Sequence, residues 1–167
     1  MPALSTRTAH SATDSTVRLR AATPDDAPAL ALLLHGIGWF PSFQEGTPLE
    51  HSAALRPLLA PCEHQLHLLA EDVQQQELLG YCAVHWLPIA FLQGWEAYLS
   101  QLFIADHARG LGVGSCLLDS AVAAARDKGC ARIWLINNRE RASYQRGFYE
   151  QHGWIEQAHM ARFVLPL

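Results

Sequence analysis

Residues 96–129 read EAYLSQLFIADHARGLGVGSCLLDSAVAAARDKG, and their periodicity changes once, across the six residues RGLGVG at 109–114. Before the glycines the pattern is that of a strand, with Glu96, Tyr98, Ser100, Leu102 and Ile104 on one face and Ala97, Leu99, Gln101 and Phe103 on the other. After them Leu117, Leu118, Ala121, Val122 and Ala125 recur at helical spacing, and Gly129 is placed to end the helix. A strand that feeds a helix through glycines presents unpaired backbone N–H groups at the helix start, where the macrodipole favours an anion. Glycines let that anion reach the backbone with no Cβ in the way, and Arg109 adds a planar cationic fork. The junction predicts a pyrophosphate site, with close packing of helix on strand as the alternative use of the same glycines.

Composition narrows the ligand. A P-loop needs a lysine after its last glycine, and the one lysine of the chain is Lys128, well behind the turn. A dinucleotide fingerprint is approached by Gly110, Gly112 and Ser115, but its acidic ribose partner belongs at the end of the next strand, where Asn137 and Asn138 stand. Twelve basic against sixteen acidic residues give a net charge of -4, which argues against nucleic acid as a partner. No apolar run reaches the about 18 residues that a membrane span needs, so no membrane association is expected. Four dispersed cysteines without a CxxC pair predict reduced thiols and a cytoplasmic location. Cys62, His64 and His67 have a spacing that invites a metal, but strand alternation sends the two histidines to opposite faces, and no metal is expected.

The remaining segments predict a polar, flexible tail over 1–16, a strand over 17–22, and a helix over 24–35 begun by Thr23, Pro24, Asp25 and Asp26. A loop over 36–48 and a helix over 49–59 follow, then an antiparallel pair at 64–71 and 77–86. Residues 86–95 are expected to form an apolar loop, because Pro88 and Gly94 oppose a continuous strand. Beyond the glycine turn come a buried strand at 131–136, a polar helix over 140–151 with Gly153 as its cap, and one or two closing strands in 154–164. This order predicts a single α/β domain of the mixed α+β kind over 17–167, a mixed sheet flanked by helices.

Arg109, Gly112 and Gly114 follow the pattern Arg or Gln, two residues, Gly, one residue, Gly or Ala. With VRLRAATPDDAPALALLL, ELLGYCAV, LFIADHARGLGVGSCLL and FYEQHGW in that order, the chain resembles the GCN5-related N-acetyltransferase (GNAT) superfamily from about residue 17 to about residue 165. The resemblance implies a mostly antiparallel mixed sheet of about six or seven strands with about four helices, and acetyl-CoA as cosubstrate. It implies that the N–H groups of Arg109, Gly110, Leu111, Gly112, Val113 and Gly114, with the Ser115 hydroxyl, bind the pyrophosphate. It also implies that Phe103 and Ile104 pair their backbone with the pantetheine arm, that this strand splays from 131–136, and that Tyr149 is the general acid for the leaving thiolate.

Two positions depart from the family pattern. Ser100 and Gln101 stand where many members carry an acid, which makes Glu96 the candidate general base, with His85, His107 and His152 as further candidates. The asparagine that usually precedes the closing helix would fall at Ala142, so Asn138 is the candidate cofactor contact instead, and Arg139, Arg141 and Arg146 suit the 3′-phosphate. The implied activity is direct transfer of an acetyl group from acetyl-CoA to a primary amine of a small molecule or peptide. Trp39, Phe40, Phe43 and the apolar loop 86–95 are expected on the acceptor side, and an apolar patch would suit a homodimer. The alternative is a non-catalytic acyl-CoA-binding module or sensor on the same fold.

Overall fold

The computed structural model describes residues 17–167, so the tail expected over 1–16 lies outside the described residues. Two compact units make up the chain, one ending at Leu135 and one formed by Ile136–Leu167.

The first unit opens with β1 (Val17–Ala21), and Thr23 then starts a 3-10 turn whose N–H and hydroxyl both donate to Asp26, at 2.7 and 2.9 Å. Helix α1 (Ala27–Ile37) follows and ends at Gly38, whose φ of 68° supplies the left-handed cap. A short helix α2 (Pro41–Gln44) interrupts the expected loop, and α3 (Pro48–Leu58) begins with a capping box between Thr47 and Glu50. Strands β2 (Gln65–Asp72) and β3 (Glu77–Ile89) form the expected antiparallel pair, followed by β4 (Gly94–Ile104), helix α4 (Val113–Asp127) and β5 (Cys130–Leu135).

The sheet runs β1-β2-β3-β4-β5, antiparallel throughout except for the parallel pair of β4 and β5. A parallel neighbour needs a crossover, and α4 is that crossover. One face of the sheet packs under α1, where Leu30, Leu33, Leu34 and Ile37 meet Leu69, Tyr81, Ala83 and Phe103. The other face packs under α4, where Gly80 keeps the helix close: a Cβ there would stand 2.9 Å from Leu117 Cδ1 and 2.8 Å from Ile104 Cδ1. Arg20 ties the sheet edge to the start of α1, meeting Asp26 at 2.6 Å and Glu71 at 2.9 Å, and its guanidinium holds the Asp26 carboxyl down to about 2.

Strand β3 continues through Pro88 to Ile89 rather than ending at Trp86. Its last partner on β2 is Gln65, opposite His85, so Pro88 pairs only with Trp95 of β4 and its missing N–H lies on a free edge. Among the described residues the sheet holds five strands rather than six or seven, and no strand forms over 154–164. The backbone there closes a turn instead, the N–H of Met160 donating to Gln157 O at 3.0 Å.

In that second unit the expected helix over 140–151 is two short helices, α5 (Ala142–Gln145) and α6 (Phe148–Gln151). Gly147 breaks them apart with a φ of 64°, and Gly153 follows α6 with a φ of 80°. Glu156 holds the unit together, accepting from Arg139 at 2.6 Å and from the Tyr144 hydroxyl at 2.9 Å.

Candidate functional site

The last pair between β4 and β5 joins Leu99 to Leu135, yet β4 runs on to Ile104. Ser100 is therefore the first β4 residue past the point where the two strands part, and the backbone from Ser100 to Ile104 has no β5 partner. At the fork itself the Tyr98 and Trp134 rings stack with centroids 4.3 Å apart. Trp134 Nε1 is buried with no hydrogen-bond partner among the described residues. Its residue lies on β5 one position before the last pair with β4, next to where the two strands separate.

The pairing of β3 with β4 slips at the same level. Ala83 is opposite Gln101 and Val84 opposite Leu99, which leaves Ser100 as the extra residue of a bulge. A bulge re-aims a side chain and changes the face of everything beyond it. Tyr98 pairs with His85 and Phe103 with Tyr81, so both lie on the α1 side although five residues apart. The simple alternation expected along this strand is thus broken at Ser100, and Phe103 shares a face with Tyr98 rather than with Leu99. The Ser100 hydroxyl meets His85 Nε2 at 2.8 Å and Ala83 O at 3.4 Å. Burial pushes the His85 imidazole below its ordinary value.

From Ile104 the chain passes through a 3-10 turn at Asp106–Ala108 and reaches the glycines. Gly110 and Gly112 have φ of 79° and 81°, the left-handed region that a side chain disfavours, and no atom lies within 4 Å of where a Cβ on either would stand. The space over the turn is open. Cys116 N–H to Gly112 O is the first bond of α4, so the N–H groups of Val113 and Gly114 precede any intrahelical partner. Arg109 lies beside the turn, paired with Asp106 at 2.6 Å and stacked over the Trp39 ring at 5.6 Å. Trp39 and Phe40 in turn pack edge-on against Phe103, at 6.1 and 5.4 Å between centroids. Phe43, expected with them, instead stacks on His51 at 4.0 Å.

The residues nominated from sequence thus fall into separate groups. Phe103, Ile104, Arg109, Gly110, Leu111, Gly112, Val113, Gly114 and Ser115 form one continuous path from strand end to helix start. Glu96 lies at the other end of β4, buried, with its carboxylate taken by Arg132 of β5. Its surroundings are those of a structural ion pair. Tyr149 and Asn138 belong to the second unit. Tyr149 packs against Phe148 and Trp154, with centroids 5.1 and 5.9 Å apart. Asn138 Oδ1 accepts from the N–H of Glu140 at 2.9 Å, which closes a turn ahead of α5. His107 is exposed beside Glu77, and His152 is bonded to the carbonyl of Phe148 at 2.7 Å.

A half-open space of about 380 Å³ lies elsewhere, bordered by Arg18, Arg20, Glu71, Asp72 and Glu77 near the β2–β3 hairpin. Its arginines are already paired with Glu71 and Asp26, and with Asp72 and Glu77 beside them the lining is acidic rather than suited to an anion.

The profile of the acetyltransferase (GNAT) family matches residues 37–154. The chain belongs to the GNAT acetyltransferase family. Among solved structures this GNAT chain is similar to a transcriptional regulator from Bacillus halodurans, with 23% identity and a TM-score of 0.72 over 89% of this chain and 99% of that one. It is similar to a ribosomal-protein-alanine N-acetyltransferase from Brucella melitensis, at 19% identity and a TM-score of 0.69 over 90% and 99% of the two chains. An aminoglycoside acetyltransferase from an uncultured soil metagenomic sample, solved in complex with sisomicin, is similar at 16% identity and a TM-score of 0.73 over 90% and 96%. No curated protein matches the sequence. At these identities the likeness is one of fold.

Proposed function

We propose that this GNAT protein is an acetyl-CoA-dependent N-acetyltransferase that passes the acetyl group directly to a primary amine. The observation that carries the reading is the continuity of the unpaired β4 backbone with the open turn at Gly110 and Gly112. An extended thioester arm can add to the free strand edge as a further strand would, while its pyrophosphate meets the first N–H groups of α4. Phe103 and Ile104 then supply the edge, and Arg109 to Gly114 with Ser115 supply the anion cradle. Arg109 meets the phosphates once it leaves Asp106, and Asn138 serves as a contact to the CoA arm. Tyr149, by the family resemblance, gives a proton to the departing sulfur, since phenol and thiol have comparable proton affinities. Acetyl-CoA supplies the activated acyl group; the chain supplies alignment and hydrogen bonds to the oxygen on which charge develops.

The acceptor side is the aromatic wall of Trp39 and Phe40 on Phe103, which with a net charge of -4 suits a cationic or amphipathic amine. The second reading is a non-catalytic acyl-CoA sensor, and it draws on the occupation of Glu96 by Arg132 together with the absence of an acid at Ser100 and Gln101.

The thermal midpoint with acetyl-CoA, NAD or ATP tests the cradle. A ligand at about 100 times its dissociation constant stabilises by about 2.7 kcal/mol; a rise with acetyl-CoA alone is expected, and a rise with only NAD or ATP refutes the reading. Release of CoA thiol across a panel of primary amines, including sisomicin and a peptide with N-terminal alanine, separates enzyme from sensor.

A further inference from the structure

The amine that attacks a thioester must lose a proton, and the buried carboxylate nearest in sequence, Glu96, is held by Arg132 at the closed end of the strand pair. We propose that the proton leaves through Ser100 to His85, a two-residue relay at the fork between β4 and β5. The inference rests on the acetyltransferase reading above and assigns its missing proton acceptor.

Three observations meet at this point. Ser100 is half-buried at the fork, the first β4 residue beyond the last β5 pair, so its hydroxyl stands where the free strand edge begins. Alternation from Tyr98, the partner of His85, puts the Ser100 side chain on the His85 face, where Oγ and Nε2 are 2.8 Å apart. The hydroxyl also reaches Ala83 O, to which it can donate at 3.4 Å; with the imidazole in its Nδ1–H tautomer, Nε2 is the nearer acceptor for the same proton.

The surroundings keep His85 neutral and able to accept. Burial lowers its proton affinity. The titratable groups facing it are His67 on β2, whose Nδ1 is engaged with the Tyr81 hydroxyl at 2.7 Å, and Tyr98 on β4, with rings 6.2 Å apart. No carboxylate among the described residues is paired with it. His67 is itself pushed below its usual range by burial and by His85.

The chemistry balances without any further reactant. The nitrogen lone pair forms the C–N bond as the C–S bond of the thioester breaks to a thiolate. The N–H proton passes to Ser100 Oγ while the hydroxyl proton passes to His85 Nε2, and the imidazolium later releases it to solvent. The thiolate takes its proton from the acid, Tyr149 in the reading above, which solvent then reprotonates. Ser100 is the residue that touches the amine, and His85 acts through it.

The test uses the full chain and the panel amine that releases CoA thiol fastest. In the unmodified protein, kcat at saturating amine is expected to fall in acid through one ionisation below about pH 6.5. His85→Gln is expected to lower kcat about 100-fold at pH 7.5 and to remove that ionisation. Ser100→Ala should do the same, and Ser100→Thr, which keeps the hydroxyl, should recover most of the rate. The acetyl-CoA thermal shift, measured on each variant, should be unchanged and shows that the fold survives. Retention of the rate and the acid limb in His85→Gln or in Ser100→Ala overturns the relay while leaving the acetyltransferase reading intact. Acetyl-CoA binding with no amine acetylated overturns both the relay and catalysis in favour of the sensor, and no acetyl-CoA binding removes the reading itself.

Discussion

Between residues 95 and 99, β4 has a strand on each side; between 100 and 104 it has one. In the first half the side chains are sealed: Ala97 and Leu99 are buried on the α4 side, and Glu96 is buried against Arg132. In the second half Ser100 carries its hydrogen bond to a histidine, Gln101 is exposed, and the backbone offers donors and acceptors to whatever comes alongside. The same strand therefore contributes stability at one end and binding capacity at the other. The boundary is set by where its parallel neighbour stops.

The sharpest way to break this comparison is to damage the sealed half alone. Leu99→Ala removes a side chain that is 3% exposed and should cost about 3 kcal/mol of folding stability through lost burial and a residual cavity. Chemical denaturation would read this loss, and the acetyl-CoA thermal shift of the surviving folded protein should persist.

The converse experiment changes the open end. Gly112→Asp places a side chain and a negative charge in the space over the turn, against a φ of 81°. The stabilisation of about 2.7 kcal/mol expected from saturating acetyl-CoA should vanish, at a cost of about 1 kcal/mol to the protein alone. Calorimetry with and without acetyl-CoA distinguishes the two terms.

A smaller effect, distant from both halves, calibrates them. Asp26 has its carboxyl lowered to about 2 by Arg20, against an ordinary 3.8, so its contribution is complete above about pH 4 and is lost as the pH falls toward 2. Asp26→Asn should cost about 2 kcal/mol at pH 7, and the gap between the two proteins should close below pH 4 in urea titrations. A constant gap across that range would assign the loss to packing at the start of α1.

Much of the site was legible because its determinants are local. Glycines at 110 and 112 sit where the backbone is left-handed, Thr23 and Asp26 close the first helix start, and Gly153 follows the last helix. Each of these depends on residues within one turn of itself. The second unit shows the limit. The polar run over 140–151 has the length of one helix, yet Gly147 adopts a φ of 64° and divides it, a choice that helix propensity alone prices at only about 1 kcal/mol. Over 154–164 the apolar residues that suggested strands lie exposed, Ile155 at 90% and Phe163 at 93%, and β propensity records only a fit to a half-buried pleated surface, which these residues do not have.

The sequence by itself determined the strand, the glycine turn and the helix behind it, together with the family to which they point, since these rest on short-range periodicity and on what glycine alone permits. Tertiary structure alone decided which atoms meet at the fork. Ser100 reaches His85, fifteen residues away, only because β3 and β4 pair antiparallel in the register that sets Tyr98 opposite His85. Glu96 is sealed by Arg132, thirty-six residues away, only because α4 brings β5 back parallel to β4. Side-chain period records which face a residue would take in an ideal ladder. A bulge or a parting of strands is set by the partner, and the partner is chosen by packing across the whole sheet.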